Sequence, residues 1–324
     1  MTARTDLATP PILPDSDIGF IGLGVMGAPM AAHLLAARPA GAKLHVTARR
    51  PASAQALVEA GARWHPTARE LGAACRGPRP TLVLMVPDLP DVTAVLDGAD
   101  GLLAGLTGPA LIVVCSTVSP AGLRALDEDV RSRTDGRVRV IDAPVSGGEE
   151  GARAGTLSVM VGGHDDDAAQ ACAVLRPTGT PVHLGPLGAG QIAKACNQMI
   201  VAATVLALGE ASVLAERAGL DVGALFDLLG GGYAGSRMLE VKKRRFAEHD
   251  HSPSGAAKFL IKDLGFATDE AVRTGTATPQ LDVLRSVFTD LTAAGLGDQD
   301  TSVVQAFVGS LARIAPAEAL GRHS

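Results

Sequence analysis

Short apolar runs alternate with helical patterns through the first half of the chain, and the alternation stops near residue 190. The runs 18–22, 43–47, 81–86, 111–115, 138–141, 157–162 and 181–184 predict strands. The run 111–115 is apolar throughout, 18–22 adds only glycine, and 81–86 is apolar after Thr81, as strands buried on both faces of a parallel sheet should be. Helical patterns fill most of the gaps. This predicts an α/β unit on a doubly wound, mostly parallel sheet with a few added strands. From Gln191 to Ala218 the pattern predicts one long helix, apolar nearly all round through its middle. Such a helix needs cover from another domain or subunit. Helices at 221–229, roughly 256–275, 278–294 and 300–314 complete an all-α half in which no strand pattern recurs. The predicted hinge lies near Leu184–Gly190.

The first predicted strand runs directly into Gly22-Leu23-Gly24-Val25-Met26-Gly27, which opens an apolar helix. Between a strand and a helix, G-x-G-x-x-G is the dinucleotide fingerprint. Gly22 permits the tight turn, Gly24 lets backbone approach a pyrophosphate, and Gly27 lets the helix pack against the strand. The helix N-terminus turns its N–H groups and positive dipole end to the phosphates. The acidic residue that such sites place on a ribose hydroxyl about 20 residues on is missing. No carboxylate occurs between Asp17 and Glu59, and the second strand ends in Arg49-Arg50. Guanidinium is a planar donor fork suited to phosphate. NADP(H) is therefore the favoured cofactor, with NAD(H) also possible. The predicted division is a loose leader over 1–16, an NADP(H)-binding Rossmann domain over 17–187 and an all-helical domain for substrate and dimerisation over 188–324.

Composition narrows the classes of partner. The 324 residues are 47% hydrophobic and only 3% aromatic, with a formal charge of −5. The core is aliphatic, and a general nucleic-acid binder is excluded by the charge. A small anionic substrate fits if its pocket is locally positive. Cys75, Cys115, Cys172 and Cys196 have no metal spacing, so no metal site is expected, and free buried thiols in a reducing compartment are. The first sixteen residues lack the apolar core of a signal peptide. The longest apolar run, about Met199 to Leu208, is too short to span a bilayer. A cytoplasmic protein without a membrane partner is the resulting expectation.

Other candidate residues sit at strand ends and at one helix start. Val86-Pro87 and Ser116-Thr117 follow apolar strands, where open α/β sheets bind ligands. Ser116-Thr117 also suits a helix cap. Ser146-Gly147-Gly148 offers consecutive backbone N–H groups and a hydroxyl, either a nest for a carboxylate or a plain β-turn. Lys194 and Asn197 share a helix face. A lysine in that apolar stretch either snorkels or serves as a partly desolvated general acid. Its place at the positive end of a helix favours the second. Lys262-Asp263 lies inside an apolar helical segment, as a packed ion pair or as part of a site.

Taken together, Gly22–Met30, Asp142–Thr156, Gly188–Asn197 and Lys262-Asp263-Leu264 resemble, in order, the motifs of the β-hydroxyacid dehydrogenase family, to which 3-hydroxyisobutyrate dehydrogenase and tartronate semialdehyde reductase belong. The resemblance runs from about Ile18 to Phe307. It implies hydride transfer between a nicotinamide cofactor and a small β-hydroxyacid or its semialdehyde. It implies Lys194 as the catalytic lysine and Asn197 as its partner on the substrate oxygen. Ser146, Gly147 and Gly148 are implied to hold the substrate carboxylate. Thr117, Lys262, Val86 and Pro87 are implied cofactor contacts, with Thr117 also reaching substrate, and an arginine after the second strand goes with NADP(H). A homodimer or homotetramer is expected from the long apolar helix. The alternatives are an imine reductase on the same fold, which Lys194 argues against, and a non-catalytic NADP(H)-binding protein. Gly230–Ala256 matches no subfamily.

Overall fold

The computed structural model describes residues 16–311. The expected leader therefore lies, apart from Ser16, outside the described residues, as do the last positions of the helix expected at 300–314. Two compact units divide at Ala195 and Cys196.

In the first unit, nine strands among the described residues form one sheet: β1 (Ile18–Ile21), β2 (Leu44–Thr47), β3 (Arg63–Trp64), β4 (Thr81–Leu84), β5 (Ala110–Val114), β6 (Val138–Asp142), β7 (Val145–Ser146), β8 (Leu157–Gly162) and β9 (Gly179–Gly185). Their order is β3-β2-β1-β4-β5-β6-β8-β7, with β9 beside β8. The pairs among β1–β6 are parallel, and β8 meets β6 and β7 antiparallel. The expected doubly wound, mostly parallel sheet is present. Its continuous apolar runs follow from double burial. Phe20, Val83 and Val113 enter one core, while Ile21, Leu84 and Ile112 enter the other.

Three elements escaped the apolar pattern. The strands β3 and β7 hold two residues each, too few to show a period. The helix Arg237–Glu248 lies within the segment that matched no subfamily. It is mostly charged and buries little beyond Leu239 and Phe246, seven positions apart. Its signal was instead the cap: Ser236 Oγ accepts from the Leu239 N–H at 3.1 Å. The Lys242 ammonium lies 2.5 Å from the fully buried Asp300 carboxylate, and Phe246 packs edge-on against Phe226 at 5.9 Å.

The second unit is helical among its described residues, with helices Val222–Gly230, Arg237–Glu248, Phe259–Thr274, Leu281–Ala293 and Val304–Ser310. Its one β-type contact there is the bridge Ala256–Asp300. The long helix runs from Ala189 to Arg217, close to its expected limits. By length and hydropathy alone it suffices to cross a membrane, although only 39% of its most apolar window is buried. Ala202 and Val205 are covered, whereas Ile200 and Leu214 are 68% and 71% exposed. The cysteines correct one expectation: Cys75 and Cys115 are buried, Cys172 is half-buried, and Cys196 is exposed.

Candidate active site

The glycine corner has the geometry its spacing predicts. Gly22 stands at φ +101°, and a Cβ there would lie 2.2 Å from the Met85 carbonyl. A Cβ on Gly27 would lie 1.9 Å from the Gly22 carbonyl, so strand and helix touch backbone to backbone. A Cβ on Gly24 would meet nothing within 4 Å, so the corner has the open space a pyrophosphate would need. The helix Gly27–Ala37 has no side-chain cap and no acid in its first turn. Within that turn Ala28 N–H donates to the Gly24 carbonyl at 3.0 Å, Met30 N–H donates to the Met26 carbonyl at 3.3 Å, and Pro29 has no N–H, so an anion there would be met by the positive dipole end and the corner's own backbone. Leu23 is buried, whereas Val25 is 67% exposed. Register pairs Ile21 with Thr47, so β1 and β2 end side by side. Arg49 and Arg50 follow β2, both exposed. The corner and the arginines fit a dinucleotide carrying a 2′-phosphate.

A second set of contacts ties the carboxyl ends of β4, β5 and β6 to the start of the long helix. Val86 N–H donates to Ser116 Oγ at 3.1 Å, linking the ends of β4 and β5. Gln191 is 2% exposed. Its Nε2 donates to the Ser116 carbonyl at 2.8 Å, and its Oε1 accepts from Val118 N–H at 3.0 Å. The amide therefore grips both sides of Thr117. Asp142, the last residue of β6, is fully buried. Its two oxygens accept from Gly188 N–H at 2.8 Å and Gln191 N–H at 2.7 Å. Burial pushes the Asp142 carboxyl up to about 6, against the pull of those two backbone donors. Gly190 must be glycine, because a Cβ would lie 2.1 Å from the Met160 carbonyl and 2.8 Å from Asp142. Asp142 and Gln191 were absent from the sequence-based site. Their signal was polarity in otherwise apolar segments.

Lys194 follows Gln191 by one helical turn and is only 8% exposed, so it does not snorkel. The helix begins at Ala189, which puts Lys194 in the second turn. The expected penalty from the helix dipole is correspondingly small, since that field fades within the first turn. Burial is the stronger sign of function. The alternative reading of Ser116-Thr117 as a helix cap is also corrected. Ser119 caps the helix Pro120–Arg133, accepting from Gly122 N–H, and Ser116 Oγ serves Val86 instead. Thr117 and Val86 are half-buried, and Pro87 is exposed.

Ser146 ends β7, and Gly147 and Gly148 follow at φ +138° and +62°. Both glycines are exposed, and a Cβ on Gly148 would meet nothing. This is a strand-to-helix corner with consecutive left-handed glycines, a geometry that gathers N–H groups into a concavity. Glu149 and Glu150 stand next in the chain, and the Glu149 charge is answered by Arg153 at 2.6 Å.

In the second unit, Asn197 Nδ2 donates to Gln198 Oε1 at 2.9 Å, and Gln198 Nε2 donates to Asp263 Oδ2 at 2.6 Å. Gln198, missed in the sequence, thus connects two predicted positions. Lys262 Nζ lies 3.8 Å from Asp263 and 5.6 Å from the Phe266 ring.

Residues 17–188 match the family model described as the NAD binding domain of 6-phosphogluconate dehydrogenase. Residues 188–307 match the model described as NAD-binding of NADP-dependent 3-hydroxyisobutyrate dehydrogenase. The NAD-dependent L-serine dehydrogenase of Pseudomonas aeruginosa is 35% identical, over 89% of this chain and 96% of its own. The 2-hydroxy-3-oxopropionate reductase of Escherichia coli is 36% identical, over 89% and 95%. A solved Mycobacterium tuberculosis 3-hydroxyisobutyrate dehydrogenase with L-serine superposes with TM-score 0.74 at 31% identity, over 91% of this chain and 99% of that one. Solved imine reductases, at 17% and 21% identity, share the fold alone.

Proposed function

The chain belongs to the β-hydroxyacid dehydrogenase family, and from that membership we propose that it interconverts a small β-hydroxyacid and its semialdehyde, with NADP(H) favoured over NAD(H). It is an oxidoreductase of hydroxyacid CH–OH groups with NAD(P)-binding domains. The observation that carries the finer reading is the buried Lys194, one turn beyond an amide that grips the strand-end loop.

A bound nicotinamide supplies or takes up the hydride. Lys194 gives its proton to the carbonyl oxygen in reduction and takes the hydroxyl proton in oxidation. Asn197 holds the same oxygen. Ser146, Gly147 and Gly148 bind the carboxylate and so fix which carbon is presented. Thr117, Val86, Pro87 and Lys262 contact the cofactor, and Arg49 and Arg50 take its 2′-phosphate.

The cofactor choice is a real test, because one relative of this chain is described as NAD-dependent. The experiment is kcat/KM for 3-hydroxyisobutyrate, L-serine and 2-hydroxy-3-oxopropionate, each with NADP(H) and NAD(H), and a cyclic imine as control. Turnover of a hydroxyacid with NADP(H) preferred is expected. Turnover of the imine alone, or equal use of both cofactors, would refute the corresponding half of the proposal. The exposed Ile200 and Leu214 on the long helix support assembly as a homodimer or homotetramer, and a monomer by light scattering at micromolar concentration would contradict it.

A further inference from the structure

We propose that Gln191 is a positioning residue for the reaction: its side-chain amide locks the Ser116–Val118 loop to the helix turn that carries Lys194. The inference rests on the reading of Lys194 as proton donor and extends it to a residue that touches no reactant. Three facts combine. The amide is 2% exposed, so water does not substitute for its partners. Its two functional groups are spent on opposite sides of one residue, Thr117, through the Ser116 carbonyl and the Val118 N–H. Its own backbone N–H is held by Asp142 at 2.7 Å, so the amide projects from a turn that is itself fixed to β6.

The consequence is a rigid link between a cofactor- and substrate-contacting position, Thr117, and the proton donor Lys194, 77 residues apart in sequence. Thr117 sits inside the clasp, and Lys194 sits one turn along the same helix. A loop end with two backbone groups left unpaired would drift, and a misplacement of about 1 Å costs roughly 100-fold in rate. Glutamine is the side chain that suits the role, because it alone carries a neutral donor and acceptor at this reach. Glutamate at this position keeps the acceptor, but when ionised it has no donor for the Ser116 carbonyl. Once protonated, it regains the donor.

The test uses the full-length enzyme with the hydroxyacid that turns over fastest in the panel above. Gln191→Leu, close in size, should lose roughly 10- to 100-fold in single-turnover hydride transfer at saturating NADP(H), with NADP(H) affinity also weakened because Thr117 inside the clasp contacts the cofactor. The Val118 amide should lose its protection from hydrogen exchange in the same variant. Gln191→Glu should be slow at pH 8 and gain rate relative to the native enzyme as pH is lowered, which a merely structural role would not produce. It also keeps the proposal testable if the leucine variant does not fold. Native hydride transfer in folded Gln191→Leu, unchanged Val118 protection, or a pH-independent ratio for Gln191→Glu would each overturn the inference. Lys194→Ala run in parallel separates the two readings. If it keeps the native rate, the proton-donor reading fails, and the lock then stands or falls on the Val118 exchange.

Discussion

Two glycine-rich corners in this protein lead from a strand into a helix, and they treat the helix N-terminus in opposite ways. At Gly22–Gly27 the helix starts with no side-chain cap and no nearby acid. At Gly188–Gly190 the start of the long helix is filled by the protein's own Asp142 carboxylate. The physics is shared: the positive dipole end of a helix attracts an anion. In the proposed function the first corner takes the cofactor's phosphates there. The second satisfies that end internally, so the turn bearing Lys194 is held whether or not a ligand is present. The first corner is the proposed binding site, and the second is a support.

The largest effect should come from the support, through the group it carries. Lys194→Ala should lower hydride transfer by ~10²–10⁴-fold with NADP(H) affinity nearly unchanged, measured by single turnover and cofactor titration. Lys194→Arg should not rescue, because guanidinium holds its proton near neutral pH. Retention of more than about a tenth of the native rate would move the proton donor elsewhere and break the comparison.

Next is the internal anion itself. Burial raises the Asp142 carboxyl to about 6 in the folded chain, above its unfolded value of about 3.9. A raised acid favours folding while it is protonated. Its contribution is present below about pH 4 and is lost as pH rises through about 6. Asp142→Asn removes this titration. Native stability minus variant stability should therefore fall between about pH 4 and 6, by up to about 3 kcal/mol. A flat difference in denaturant melts across that range would show that the carboxylate does not titrate there.

At the open corner, Arg49→Ala should cut the preference for NADP(H) over NAD(H) in kcat/KM by roughly tenfold or more, since a charge-assisted hydrogen bond contributes about 1.5–3 kcal/mol. An unchanged preference would leave Arg50 as the phosphate ligand.

The smallest and sharpest contrast pairs two glycines. Gly190→Ala places a Cβ 2.1 Å from the Met160 carbonyl and should destabilise by about 1–3 kcal/mol, outweighing the gain of about 0.5–1 kcal/mol from alanine in a helix. Gly24→Ala meets nothing and should leave Tm in place, yet weaken NADP(H) about tenfold, about 1.4 kcal/mol. Thermal melts and cofactor titrations of both variants check this. Equal loss of Tm would show that both corners are packing features.

Much of this was legible in the linear chain. Runs such as Ala110–Val114 are apolar at every position because both faces of the sheet are covered, and Gly22-x-Gly24-x-x-Gly27 encodes backbone geometry that side chains would forbid. These are local demands, so they leave local patterns. The helix Arg237–Glu248 left almost none, because two buried residues and a distant partner, Asp300, hold it in place.

The sequence by itself determined the alternation of strand and helix, the dinucleotide corner, the paired arginines and the presence of Lys194, since each follows from residue type and short spacing. Only the tertiary structure decided that Asp142 occupies a helix start 46 residues away, that Gln191 clasps Thr117, and that Lys194 is buried. Hydrogen bonds between distant segments have no sequence period. They form only when the sheet has brought the ends of β4, β5 and β6 together and excluded water from the groups that must then find one another.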